Sequence, residues 1–197
     1  TEFAARGGEV VAEERVAATA SDFSVELQRI AKSGAKTIFM PVYEDLAARV
    51  LNQAGRMDLA VKQFLGGDGW YPRNIFSDLI NPKHFPFSLY WVVQFEPNLK
   101  DPVVATTISK IEKQTGRKID GAIAVGHDLA MLIGQVLKQL GRAPKSQEEI
   151  LNTLTKMPKV SGLTADFLFR ENHNTDKSIY IHTLSKTDSV LFKELKP

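Results

Sequence analysis

The chain has 197 residues, 43% of them hydrophobic, which suffices for one full domain or two small lobes. Its 25 Lys and Arg against 23 Asp and Glu leave a net charge of +2, with none of the concentrated basic surface that a phosphate backbone requires, so nucleic acid is not the expected partner. The absence of Cys excludes thiol catalysis, thiolate metal sites and disulfides, and no apolar run is long enough to cross a bilayer.

Residues Thr1 to Arg6 read as the last turn of a helix closed by Gly7-Gly8. A domain rarely opens on a final helical turn, so an earlier part of the protein is expected to precede Thr1. Val10 to Val16 is expected to form a short strand. Asp22 is the expected N-cap of a helix with Phe23, Leu27, Ile30 and Ala31 on one face, stopped at Ser33-Gly34. Thr37-Ile38-Phe39-Met40 is a continuous apolar, β-prone run, as in a strand buried on both sides.

Pro41 to Glu44 turns the chain into a second helix, with Leu46, Ala47, Val50, Leu51 and Ala54 on one face and Gly55 at its end. Phe64-Leu65 begins a third strand that runs into Gly66-Gly67-Asp68-Gly69-Trp70. Strand, helix, strand, helix, strand within seventy residues predicts a parallel sheet with helical crossovers. A short helix is expected near Ile75 to Ile80, a strand over Leu89 to Phe95 and a turn over Asn98 to Pro102.

Val104, Thr107, Ile108 and Ile111 mark a helix stopped near Gly116. The longest helix is predicted from Gly121 to Leu140, with Leu129, Leu132, Ile133, Val136, Leu137 and Leu140 as its apolar stripe and Gly141 as its stop. Ser146 and Glu149 have capping-box spacing for a further helix through Leu154. With no strand between the two helices before Gly141, they are not ordinary links of the first sheet, and a second layer or lobe is expected. After Pro158 come short strands at Thr164 to Phe169, Ser178 to Leu184 and Val190 to Glu194, with turns at Asn172-His173-Asn174 and Thr187-Asp188, the pattern of antiparallel hairpins.

The candidate chemistry gathers at the ends of the first strands. Open α/β sheets place ligands at the carboxyl edge of their strands. Asp68, flanked by glycines, offers one negative charge to a cationic group there, and Trp70 one flat wall; the alternative is a tight turn capped by the Asp. Tyr43 occupies the same edge of the preceding strand, where it either reaches a ligand or packs on the sheet's end. Glu44 and Asp45 suit the start of the following helix. His127, followed by Asp128, reads as an exposed or capping residue or as a ligand contact. His84, His173 and His182 are scattered, and no HxH, HExxH, phosphate loop or nucleophile elbow is present. One acid and aromatics without a partner base point to holding a solute, not converting it. No enzyme activity, metal or cofactor is expected.

These residues, taken in order, resemble the C-terminal half or more of a type I periplasmic solute-binding protein, in the branched-chain amino acid binding branch of ABC importers. The resemblance is carried by Asp22-Phe23-Ser24, Leu27 through Gly34-Ala35, Ile38 to Tyr43 and Asn52-Gln53-Ala54. It continues in Phe64 to Trp70, Thr115-Gly116-Arg117, Gly126-His127-Asp128 and Val160-Ser161-Gly162 with Phe169. It implies an α/β fold of two lobes joined by three crossings, with lobe two complete or nearly so and the returning helical part of lobe one. On that reading residues 1–90 are the first part of lobe two and 91–96 a hinge crossing. Residues 97–158 are partial lobe one, 159–162 a second crossing and 163–197 the terminal strands of lobe two.

The implied function is the extracytoplasmic, bacterial solute-binding component of an ABC importer, holding an amino acid or similar small polar solute. Tyr43, Asp68, Trp70 and His127 are the implied contacts, with Asp68 pairing the solute's ammonium. The implied partners are that solute, the importer's membrane permease and the rest of the same protein, without which the chain is expected to bind weakly and to self-associate through uncovered apolar helix faces. The alternative is the ligand-sensing extracellular domain of a receptor with the same fold. The chain departs from the family pattern at His127, where Tyr is usual, at Ala165, where a second glycine often follows Gly162, and at Asn172-His173-Asn174, where the hairpin turn usually holds glycine. Ala122 stands where several relatives place an aromatic, leaving room for an aromatic solute.

Overall fold

A computed structural model describes residues 2–70, 85–97, 101–172, 174–175, 177–185 and 188–196. The chain divides into two compact units, Thr1–Val92 with Ile181–Phe192 and Val93–Tyr180 with Lys193–Pro197.

The first unit opens with a single helical turn, α1 (Glu2–Ala5), ended as expected by Gly7 in the left-handed region at φ 82°. Residues 8–17 form no strand, contrary to the sequence reading. Val10 and Val11 stay 67% and 45% exposed, so the run has β propensity but no apolar face to bury. Helix α2 (Ser24–Lys32) follows. Asp22 does not itself occupy the cap position, which belongs to Phe23. Its carboxylate instead accepts from Ser24 N at 3.0 Å and Ser24 Oγ at 2.6 Å. Gln53, on the next helix, clamps this start by donating to Asp22 at 2.6 Å and accepting from Phe23 N at 2.8 Å.

Strand β1 (Thr37–Met40) pairs in parallel with β2 (Gln63–Gly66), and β2 with β3 (Ser88–Val93). Helix α3 (Glu44–Ala54) makes the first crossover and buries Ala47, Val50, Leu51 and Ala54. Burial along β1 alternates, with Ile38 and Met40 inside and Phe39 64% exposed. The strand is therefore covered on one face, not on both as its continuous apolar run suggested. Ile38, Phe64 and Leu89 share one row across the three strands, and all are buried. The helix expected near 75–80 lies outside the described residues.

In the second unit, helices α4 (Pro102–Thr115) and α5 (Gly121–Leu140) have the bounds their patterns predict to within a residue or so. Asp101 caps α4 through Val103 N and Val104 N, Asp120 caps α5 through Ile123 N, and Gly116 and Gly141 close them in the left-handed region. Helix α6 (Gln147–Lys156) is capped by Ser146 Oγ, which accepts from Glu149 N at 3.2 Å. Glu149 does not complete the box on Ser146; it accepts from Lys145 N at 2.7 Å and pairs with Arg142. The core gathers Phe95, Ile119, Ala124 and Leu163 against Val104, Ile108, Ile111 and Ile123. Strands β4 (Val160–Ser161) and β5 (Asp166–Phe167) make a short antiparallel pair.

Strands β6 (Ile179–Ser185) and β7 (Asp188–Leu195) complete a five-stranded sheet in the order β1-β2-β3-β6-β7. Thr183 Oγ1 donates to Leu89 O at 2.8 Å, and Tyr90 and Phe192 meet edge to face at 4.9 Å.

Candidate functional site

The carboxyl ends of β1 and β2 lie side by side, because Met40 and Gly66 are register partners in a parallel pair. The chain leaves β1 through Pro41 and Val42 into Tyr43, the N-cap residue of α3, and leaves β2 through Gly67, Asp68 and Gly69 into Trp70. Parallel pairing thus brings two loops from distant sequence to one edge.

Trp70 ties these loops together. Its ring is buried, its Nε1 donates to the Met40 carbonyl at 3.2 Å and its own N–H donates to Gly67 O at 3.3 Å. The indole covers Gly66 so closely that a Cβ there would sit 2.1 Å from Trp70 Cδ2. Gly69 gives similar room to its neighbours, since a Cβ would meet Tyr43 Cδ1 at 3.2 Å and Val42 O at 3.3 Å. None of Gly66, Gly67 and Gly69 has a positive φ, so two of these glycines serve close approach rather than an unusual backbone angle.

The structure therefore places Tyr43, Asp68 and Trp70 at one sheet edge, in different roles. Tyr43 is 78% exposed, with its ring along Gly69. Asp68 is exposed at the tip of the turn. Trp70, at 1% exposure, presents no open wall; it braces the turn from beneath.

His127 belongs to the second unit, in the second turn of α5. Its ring is about one-third exposed and its Nδ1 lies 3.1 Å from Asp128 Oδ1. Asp128 is buried, with Oδ1 accepting from Leu163 N at 2.7 Å and Oδ2 from Thr164 N at 2.7 Å and Thr164 Oγ1 at 2.8 Å. Gly162 permits this docking, because a Cβ there would be 2.7 Å from Asp128 Cγ. Burial pushes the Lys177 ammonium below the usual lysine range, while the charge of Asp128 acts in the opposite direction.

Sequence reasoning gave Asp128 no role. The signal was available: Ala124, Asp128, Leu132 and Val136 recur at four-residue spacing and form the buried face of α5. A carboxylate inside an apolar row demands a set of donors. Among the described residues, no group of three or more His, Cys, Asp or Glu is placed to hold a metal. His84 and His173 lie outside those residues, and His182 is buried in the sheet beside Ser189 and Trp91. An open hollow of about 610 Å³ in the second unit runs past Met131, Gln135, Met157 and Ser161.

A family model described as periplasmic binding protein matches residues 1–189. Among solved structures, the chain is similar to a leucine binding protein from Thermotoga maritima, at 20% identity and TM-score 0.81, covering 100% of this chain and 54% of that one. It is similar to the branched-chain amino acid transporter substrate binding protein from Streptococcus pneumoniae in complex with isoleucine (22% identity, TM-score 0.75, 96% and 53% covered). A solute binding protein of an R. palustris ABC transporter, in complex with benzoate, is also similar (16% identity, TM-score 0.76, 99% and 52% covered). The chain spans about half the length of these structures. No curated protein sequence matches it.

Proposed function

Because the chain belongs to the periplasmic binding protein family, we propose that it is part of the extracytoplasmic solute-binding component of a bacterial ABC importer, holding a small polar solute for delivery to the membrane permease. The family binds solutes without turning them over. The observation that carries the proposal is the exposed turn bearing Asp68, braced by Trp70 on the Met40 carbonyl and set beside Tyr43 at the carboxyl ends of β1 and β2.

The solute is an amino acid, with Asp68 pairing its ammonium and Tyr43 lying along its apolar part. Trp70 acts by holding the turn, and His127 is a further solute contact. The complexes of similar proteins with isoleucine and benzoate frame the alternatives, since benzoate has no cationic nitrogen for Asp68 to meet.

The test is calorimetry on the intact protein with L-leucine, L-isoleucine, L-phenylalanine and benzoate, repeated with Asp68→Asn. An amino acid that binds is expected to lose about 1–3 kcal/mol of affinity in the variant, the scale of a lost charged partner. Equal affinity in both proteins removes Asp68 from the site, and binding of benzoate alone removes the amino-acid assignment.

The 197-residue chain by itself is proposed to self-associate. Val125, Leu129, Ile133 and Leu137, at four-residue spacing on α5, are 41%, 58%, 53% and 41% exposed.

A further inference from the structure

An imidazole can offer either ring nitrogen as its acceptor, and the partner of the other nitrogen decides which. The partner of His127 is unusually well fixed. Asp128 is buried, and both its oxygens are held by donors from Leu163 and Thr164, so it has no freedom to turn away. A carboxylate only accepts, so the nitrogen facing it must be an N–H. That nitrogen is Nδ1, 3.1 Å from Asp128 Oδ1.

We propose that Asp128 is a positioning residue for His127, holding the neutral ring in the Nδ1–H tautomer and leaving Nε2 as its one acceptor. The inference rests on the reading of His127 as a solute contact and deepens it. The solute group that meets His127 is an N–H or O–H donor, such as an ammonium or a hydroxyl. A solute carboxylate would face a lone pair there.

The experiment is long-range ¹H–¹⁵N correlation on the intact protein labelled at histidine, with His127→Gln to assign the signal. In spectra of the neutral ring, wild type is expected to show a protonated Nδ1 and an unprotonated Nε2. Thr164→Val, which removes one donor to Asp128 and leaves the His127 contact, is expected to keep that pattern. Asp128→Ala is expected to move the proton to Nε2. A wild-type ring protonated on Nε2 overturns the proposal, as does an Nδ1–H ring that survives in Asp128→Ala. Should Asp128→Ala not fold, the wild-type and Thr164→Val spectra decide.

These spectra need no solute, so they stand or fall apart from the binding site itself. His127→Phe tests the site, with an expected tenfold loss of affinity for the tightest of L-leucine, L-isoleucine and L-phenylalanine. An unchanged affinity removes the solute contact and leaves the tautomer assignment to the spectra.

Discussion

The indole of Trp70 occupies the space that a side chain on Gly66 would need, and from there its Nε1 reaches the Met40 carbonyl at 3.2 Å. The two glycines at the head of the turn should therefore respond differently to the same substitution. Gly66→Ala forces a Cβ into the indole and is expected to cost about 1–3 kcal/mol, the range for an overfilled interior. Gly67→Ala meets nothing within 4 Å at a backbone angle that alanine tolerates, and should be neutral or slightly stabilising. Urea denaturation midpoints of the two variants check this. Equal destabilisation would mean that the turn, not the indole, sets the need for glycine.

Asp128 makes a stronger demand. Removing its carboxylate leaves the N–H groups of Leu163 and Thr164 buried with no acceptor, at about 1–3 kcal/mol each. Asp128→Ala should thus lose at least about 2 kcal/mol of stability. Gly162→Ala should also destabilise, because its Cβ would press on Asp128 Cγ. In the double variant the two losses should add to less than their sum, since part of the second clash has gone. Strict additivity in a double-mutant cycle would deny that these residues act on each other.

Much of this architecture was readable because local chemistry and packing agree. Asp120 and Gly141 bracket α5, Asp101 and Gly116 bracket α4, and the tertiary structure asks nothing different of them. Where a segment depends on a partner, the sequence misleads. Val10 to Val16 has strand composition and no ladder. The apolar run over β1 suggested burial on two faces, yet Phe39 lies open. On α5 the expected stripe mixes two faces, because Leu132 and Val136 point inward while Leu129, Ile133 and Leu137 remain exposed. The position of Asp68 at a sheet edge followed from the βαβ pattern, but the bracing role of Trp70 did not. A tryptophan beside glycines reads as a ligand wall, whereas this indole is tucked under the turn and packed on Gly66.

Two carboxylates, Asp22 exposed and Glu149 half-buried, give a signed pH dependence. Hydrogen bonds from Ser24 and Gln53 hold Asp22 down to about 2, and Arg142, with the Lys145 N–H, holds Glu149 down to about 2. A carboxylate whose folded pKa is depressed binds fewer protons when folded than when unfolded. Its stabilisation is present above the unfolded value near 4 and disappears as pH falls towards 2. Asp22→Asn and Glu149→Gln should each flatten the fall in stability over this window while leaving the slope above about pH 5 unchanged. Denaturation series at closely spaced pH values measure it, and an undiminished slope in both variants would place the acid sensitivity elsewhere. The Glu149 contribution should also shrink in high salt, because its ion pair with Arg142 is partly solvent-exposed.

The open face of α5 separates folding from association. Leu129 and Ile133 are more than half exposed, so replacing both with Gln removes little buried area and should change stability by no more than about 0.5 kcal/mol per site. The same change breaks the apolar row from Val125 to Leu137 at its centre, which is where a second apolar surface would seat. Sedimentation of the 197-residue chain should therefore show self-association in the wild type, and Leu129→Gln with Ile133→Gln should shift it to monomer at the same concentration. Leu132→Gln is the contrasting variant. It lies one residue away on the buried face and should unfold the helix packing instead of freeing a monomer. If the wild-type chain is already monomeric, or the double variant associates as strongly, then this row of side chains is not what brings copies together.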